Sequence, residues 1–340
     1  MPFAVRATLW FEGYRTIEEQ TLDELALHVT RMALPRGRGV GEVLRELARR
    51  FPQTRFAPNM VYLLSAAETL ACGRQRCAGA EWIGRRQVGA SCPGGIRIGM
   101  LDTAVDTDAA PLRASLIQSR RLAPGEPVAS DHGTTIATLL VGRMEGQFSG
   151  LAPAAALFAG DVFWQDDAGR PTSDALTLAR GLDWLLANRV DAVNLSLAGP
   201  PNVLLETAVD ALEKRGMPVV AAVGNGGPTR PVGYPAAYPS VIAVTAVDSR
   251  LRIYEGASRG AAVTLAAPGV DLWLPLDGGR IESGTSLAAA VVTGAVAELR
   301  GQRGATDVLA ALRDTARDLG APGHDPVFGW GLVSLMPACR

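Results

Sequence analysis

Two rhythms of apolar residues divide this chain. From Ile96 onward, short unbroken apolar runs recur at Ile96–Leu101, Ala156–Phe163, Ala192–Leu197, Pro218–Val223 and Val241–Val247. Strands buried on both faces need runs of this kind, whereas strands with one wet face alternate. Between the runs, Ser173–Asn188 places Leu178, Leu182 and Leu185 on one helical face, and Val203–Arg215 does the same with Leu205, Val209 and Leu212. The alternation predicts an α/β fold, a mostly parallel sheet with helices on both faces. Before Ile96 the signal is weaker. Phe3–Phe11 alternates loosely, as a strand does, while Thr21–Met32 carries Leu22, Leu25, Val29 and Met32 at helical spacing. A second helix is expected over Val40–Phe51, with Val43, Leu44 and Leu47 inward, followed by an extended Arg55–Leu64. Residues 1–65 thus read as a small α/β domain near the lower size limit for independent folding. Residues 66–95 shift to Gly, Ala, Cys and Arg and read as a linker, and residues 96–340 form the main domain.

Composition narrows the class without naming it. At 340 residues, 48% hydrophobic and 20% charged, the chain has a globular composition. The net charge of −1, from 33 basic and 34 acidic residues, gives no footprint for nucleic acid or an anionic membrane. No apolar run reaches the roughly 18–20 residues that span a bilayer, and Met1–Arg6 does not open a signal peptide. Cys72, Cys77, Cys92 and Cys339 are even in number, and three of them crowd the linker. Disulfides and an oxidising compartment, secreted or periplasmic, are the expectation, with a cytoplasmic chain of free thiols as the other reading. A zinc site is disfavoured because no histidine lies near that cluster and the spacing is not that of paired zinc ligands. No acidic cluster reads as a calcium loop, so neither metal nor cofactor is expected.

Candidate chemistry sits where runs end. Asp102 follows the first buried strand of the main domain, the end at which open α/β sheets build their sites. His132 opens a helical segment, and Gly133 beside it suits a close backbone approach. Asn225 follows another strand, where it could equally serve as a turn residue. Ser286 falls in the first turn of a long Ala/Val helix, where free N–H groups and the positive end of the dipole favour developing negative charge. Alone, it reads as well as a helix cap. The order Asp, His, Ser, however, is one of three unrelated arrangements of the serine-hydrolase triad.

With these residues in register, the chain resembles the subtilisin-like serine peptidases. The matching segments are Asp102-Thr103, His132-Gly133-Thr134, Asn194-Leu195-Ser196-Leu197, Ala222-Val223-Gly224-Asn225, Tyr234-Pro235-Ala236, Ala267-Pro268-Gly269-Val270, Gly284-Thr285-Ser286 and Gly329-Trp330-Gly331-Leu332-Val333. The resemblance implies a subtilisin-like fold from Ile96 to about Leu335 and a serine endopeptidase acting on protein or peptide substrates. It implies Ser286 as nucleophile, His132 as general base and acid, and Asp102 as the residue that orients the imidazole. Asn225 and the Ser286 N–H would form the oxyanion hole, and Ser196, Leu197, Ala198 and Gly224 would line the substrate cleft. It also implies that residues 1–65 are a propeptide, an intramolecular inhibitor laying its tail along the cleft, with cleavage somewhere between Ser65 and Gly95. The loop Gly226–Pro239 is expected to help wall the primary pocket. Four positions depart from the family: Ala104 and Ala198 replace Gly, Leu287 replaces Met, and Ala290 replaces Pro. Of these, Ala198 is expected to narrow a subsite. The sequon at Asn194 lies on a strand expected to be buried and is discounted.

The rival readings are a catalytically silent or permanently autoinhibited binding protein on the same fold, an α/β-hydrolase and a nucleotide-binding sheet. The hydrolase requires Gly-x-Ser-x-Gly and the order Ser, Asp, His, whereas Ala288 stands at the second Gly position here. The nucleotide sheet requires a Gly-rich loop after its first strand, and none follows Leu101.

Overall fold

The computed structural model describes residues 3–65, 68–71, 95–303 and 307–334. The N-terminal unit contains α1 (Phe3–Phe11), β1 (Arg15–Leu22), β2 (Leu27–Ala33), α2 (Val40–Arg50) and β3 (Val61–Leu64), and β4 (Glu68–Ala71) follows it. The main domain opens with β5 (Arg97–Asp102), β6 (Leu116–Arg121), α3 (Asp131–Val141), β7 (Arg143–Met144), β8 (Phe148–Ser149) and β9 (Ala156–Asp161). It continues with β10 (Trp164–Gln165), β11 (Pro171–Asp174), α4 (Ala175–Ala187), β12 (Ala192–Leu195), β13 (Leu197–Ala198), α5 (Val203–Lys214) and β14 (Val219–Ala222). The remaining elements are β15 (Val241–Val247), β16 (Leu265–Pro268), β17 (Leu272–Leu274), β18 (Arg280–Ser283), α6 (Thr285–Arg303) and α7 (Val308–Thr315).

Seven strands form one sheet in the order β16-β15-β14-β12-β5-β9-β6, and every neighbouring pair is parallel. Alternate strand residues feed two apolar layers. Ile98, Met100, Val220 and Val244 pack with Ile136 of α3 and Leu287 and Val291 of α6. Leu101, Val193, Ala221 and Ala243 pack on the opposite face with Leu178 and Leu182 of α4 and Leu205 and Val209 of α5. This is the α/β architecture the apolar runs predict. The helices begin where side chains satisfy their first free N–H groups. Asp174 accepts from Thr177 N at 2.8 Å to start α4, and Asn202 accepts from Leu204 N at 2.9 Å to start α5. The polar edge strand β6, whose side chains are mostly exposed, carries no buried run to mark it.

The N-terminal unit corrects two expectations. Phe3–Phe11 is a helix and not a strand. A short apolar run does not distinguish the two by period alone, and packing decides: Val5 and Leu9, one turn apart, join Tyr14, Val43 and Leu47 in a small core. Thr21–Met32, expected as a helix, is instead part of an antiparallel hairpin with Leu22 opposite Leu27. The β-branched Thr16, Ile17, Thr21, Val29 and Thr30 favour strands, and the turn between them carries Ala26 at φ 53°. The apolar residues that suggested a helix serve a docking contact, since Leu22 and Leu25 are buried in the layer that contains α4. Around them, Leu25 N donates to Asp183 Oδ1 at 2.9 Å, and Arg180 of α4 pairs with Glu18 and Gln20 of β1. The helix expected at Val40–Phe51 is α2, with Val43 and Leu47 buried. All four cysteines, and with them the expected disulfides, lie outside the described residues.

Candidate active site

The carboxyl edge of the central sheet collects the side chains singled out in the sequence. Asp102 ends β5 and is fully buried; its Oδ1 accepts from Thr103 N at 2.7 Å and lies 2.7 Å from His132 Nδ1. His132 is the second residue of α3. Its neighbour Gly133 donates its N–H to Thr103 Oγ1 at 2.9 Å, and a Cβ at Gly133 would come within 2.4 Å of the Thr103 carbonyl oxygen. The missing side chain is therefore what lets α3 press its histidine against the strand end. With Nδ1 engaged by Asp102, His132 Nε2 is buried and has no hydrogen-bond partner among the described residues. Burial pulls the imidazole pKa down, but the Asp102 charge and hydrogen bond, with smaller help from Glu282 and the Ser65 carbonyl, leave it raised above the ordinary value.

Ser286, fully buried, is the second residue of α6. Its Oγ donates to the main-chain carbonyl oxygen of Ser65 at 2.5 Å. Asn225, just beyond β14, points its Nδ2 at the same oxygen from 3.5 Å. The Asn225 amide is fixed in that direction because Oδ1 accepts from Thr285 N at 3.1 Å and from Thr285 Oγ1 at 2.8 Å. Thr285 is a positioning residue that the sequence reading quoted only as part of a motif.

The chain's own segment fills the groove beside these groups. β3 lies between β13 and β11 in a four-stranded antiparallel sheet. Leu64 pairs with Leu197 and Leu63 with Ala198, and Ser65 N donates to Ser196 O at 3.2 Å. On the other edge, Leu63 faces Thr172, Tyr62 faces Ser173 and Val61 faces Asp174. The sequence reading placed Ser173 in a helix, so this second edge was missed. The Tyr62 ring is buried against Gly199, where a Cβ would come within 2.5 Å of its Cδ1, and its hydroxyl donates to Pro200 O at 2.9 Å. Burial raises the Tyr62 hydroxyl pKa and pushes that of Tyr238, nearby, up to about 12, so both stay protonated donors. Upstream of β3, Asn59 Nδ2 donates to Asp174 Oδ2 at 2.7 Å and Asn202 Nδ2 donates to Pro58 O at 2.8 Å.

Past Ser65, β4 pairs antiparallel with β18, with Glu68 opposite Ser283 and Ala71 opposite Arg280. β18 also supports α3. Arg280 Nε lies 2.6 Å from Glu282 Oε1, Arg280 Nη2 donates to Thr135 Oγ1 at 2.5 Å, and Thr135 Oγ1 donates to Glu282 Oε1 at 3.0 Å. This network was not foreseen; the alternating Arg280-Ile281-Glu282-Ser283 before the serine was its only trace in the sequence.

Gly224 sits at φ 99° and accepts from Ser258 N at 2.9 Å. The Ala198 methyl lies 3.6 Å from where a Gly224 Cβ would be and 2.8 Å from where a Gly233 Cβ would be, so it fills space beside the tail. The 226–239 loop joins this wall through Tyr234, whose N–H and C=O both bond to Gly199 at 2.9 Å. Asn194 is buried and donates to Ser196 Oγ at 3.0 Å. Of the chain's other two histidines, His324 Nε2 lies 2.8 Å from Val263 O and His28 lies on β2. Among the described residues, no group of three or more His, Cys, Asp or Glu side chains gathers into a cation site.

The subtilase family profile matches residues 94–331. Subtilisin BL of Lederbergia lenta is 33% identical over 256 residues, covering 72% of this chain and 91% of that protein. The minor extracellular protease Epr of Bacillus subtilis (strain 168) is 34% identical over 209 residues, which span 59% of this chain but only 32% of Epr. Among solved structures, fervidolysin from Fervidobacterium pennivorans, described as a keratinolytic enzyme related to subtilisin, superposes with a TM-score of 0.80. At 22% identity over 98% of this chain and 59% of that one, it is a likeness of fold.

Proposed function

Since the chain belongs to the subtilase family and is a serine endopeptidase, we propose that Asp102, His132 and Ser286 carry its chemistry, with Asn225 as oxyanion donor and residues 1–65 as an inhibitory propeptide. One observation carries the reading: the Ser65 carbonyl oxygen receives Ser286 Oγ at 2.5 Å and faces Asn225 Nδ2 at 3.5 Å. His132 Nε2, left without a hydrogen bond, takes the Ser286 proton as Oγ attacks a carbonyl carbon. Asp102 holds the imidazole in the tautomer that needs it and stabilises the imidazolium. Negative charge on the carbonyl oxygen is met by Asn225 and by the amino end of α6. His132 then returns its proton to the leaving amine, and water completes the hydrolysis.

Ser196, Leu197 and Ala198 bind the substrate main chain by strand addition, with Gly224 on the neighbouring wall. Substrates are proteins or peptides able to enter the groove in extended form, and the N-terminal unit excludes them while its tail is there. The enzyme works outside the cytoplasm, a reading supported by its likeness to an extracellular protease. Among the described residues, no helix is long and apolar enough to cross a membrane.

A permanently closed binding protein on this fold would also show an occupied cleft. Intact mass and a fluorophosphonate serine probe, applied to wild type and S286A, separate the two. The active enzyme sheds its N-terminal unit and then takes up one probe, and S286A does neither. Wild type that stays whole and unlabelled, and leaves an added peptide uncut, sinks the peptidase reading.

A further inference from the structure

We propose that Glu282 is a positioning residue for peptide hydrolysis, bracing the helix that carries His132 against the segment that carries Ser286 and setting a second negative charge beside the imidazole. The inference rests on the endopeptidase reading above and adds a residue to it. β18 runs Arg280-Ile281-Glu282-Ser283, and after Gly284 the helix α6 opens with Thr285 and Ser286. Successive side chains of a strand point to opposite faces, so Arg280 and Glu282 share one. That face meets α3. Glu282, 4% exposed, accepts from Thr135 Oγ1 at 3.0 Å, and Arg280 Nη2 donates to the same oxygen at 2.5 Å. Thr135 is fully buried and stands three residues after His132, a spacing that makes two helical residues neighbours. Arg280 Nε lies 2.6 Å from Glu282 Oε1, a contact of charges without hydrogen-bond alignment. Ser283, on the other face of β18, is held as well, its Oγ accepting from Asp271 N at 2.9 Å.

The base and the nucleophile stand at the amino ends of two different helices, so the gap between them depends on what ties those ends together. Glu282 supplies a tie four residues before Ser286. In the same segment Thr285 fixes the Asn225 amide through its N–H at 3.1 Å and its hydroxyl at 2.8 Å. Residues 280–286 therefore set the place of the nucleophile, the oxyanion donor and the helix of the base at once. A misplacement of about 1 Å between reacting groups costs on the order of 10²-fold in rate. Every member of the brace belongs to the sheet domain, so it persists after the N-terminal unit leaves.

The charge of Glu282 acts alongside its place. When Ser286 gives up its proton the imidazole becomes a cation, and Asp102 and Glu282 both favour that form. Arg280 does not cancel them, because it also faces Asp277 Oδ2 at 3.1 Å and Asp131 Oδ1 at 3.6 Å. Behind Asp102, Asp161 of β9 lies opposite it in register and is answered by Arg121 of β6. The ring is thus left with a surplus of negative charge on the side of β18 as well as on the side of β5.

The test is the pH profile of kcat and KM on an added peptide, for enzyme prepared from the full chain and three variants. Glu282→Gln is expected to lower kcat about tenfold or more with KM within about twofold of wild type, and to move the midpoint of the profile down. Thr135→Val removes the tie and keeps the charge, so kcat should fall while the midpoint stays. Glu282→Asp keeps the charge on a shorter arm and should hold the wild-type midpoint. Wild-type kcat and midpoint in Glu282→Gln overturn the inference and leave the endopeptidase reading intact. So does a midpoint that moves equally in Thr135→Val and Glu282→Gln, since loosened packing would then explain both. Where Glu282→Gln shows no melting transition, the other two variants decide: wild-type kcat in Thr135→Val, or a displaced midpoint in Glu282→Asp, overturns the inference. A wild type that cuts no peptide overturns both readings.

Discussion

In the sheet domain, apolar side chains close over both faces of seven strands, and α3, α4, α5 and α6 each bury a stripe there. In the N-terminal unit, only Leu9, Tyr14, Val43 and Leu47 form a buried core of their own. Of the seven large apolar side chains most exposed among the described residues, six lie within residues 3–64: Trp10, Phe11, Ile17, Val40, Val61 and Leu63. Trp10 is 63% and Phe11 82% exposed, and the two rings pack edge-on to each other outside the small core. The smaller unit leans on the larger one, through Leu22 and Leu25 on the α4 face, the Arg180 pairings and the tail that ends at Ser65. The comparison teaches that one region is packed on itself, whereas the other is packed in part on its neighbour, over the α4 face and, at its tail, on Ser286.

Four changes would break or sharpen that contrast. The largest effect is expected from Ser286→Ala, which should lower self-cleavage and peptide hydrolysis by more than about 10⁴-fold while leaving the two regions docked, as read by intact mass and a single melting transition. Asn225→Ala follows. The loss of one oxyanion donor is worth about 10²–10³ in turnover, a range measured on a subtilisin asparagine, and should appear in kcat with little change in KM.

Leu47→Ala strikes the small core directly. A loss of about 2–5 kcal/mol should expose residues 3–64 to an added protease at a temperature where the sheet domain stays intact. If both regions are lost together, the contrast fails.

The smallest effect concerns pH. His132 works as a base only when neutral and its pKa is raised, so the self-cleavage rate should climb with pH through a midpoint above the ordinary histidine value of 6.5. The same raised pKa stabilises the fold below about 6.5, and this contribution is lost as pH rises through the folded-state value. Glu282→Gln removes one of the charges holding the pKa up and should move the midpoint down.

Much of the sheet domain was legible because its signals are local. Unbroken apolar runs at Ala192 and Val241 mark strands buried on both faces, and Asp102 and Asn225 fall where such runs end. What the sequence hid depends on partners distant along the chain. Leu22 and Leu25 lie at helical spacing, yet they belong to a hairpin whose form is set by α4. Ser173 continues a helical stripe, yet it pairs with Tyr62, more than a hundred residues upstream. Ser65 looked like no more than the last residue of the small domain, because nothing beside it tells that its carbonyl accepts from Ser286. Asp102 and His132 could be paired only through the Asp-His-Ser order, since 30 residues separate them in the sequence.

On the proposed reading, having the tail and Ser286 on one chain also fixes the kinetic order of the cut that sheds the N-terminal unit. Both reactants arrive at the same local concentration whatever the amount of protein present, with translation and rotation already given up on folding. Self-cleavage is then first order, and its half-time is the same in a dilute and a concentrated solution. Folding thus sets the clock, and every molecule that completes its fold starts it for itself.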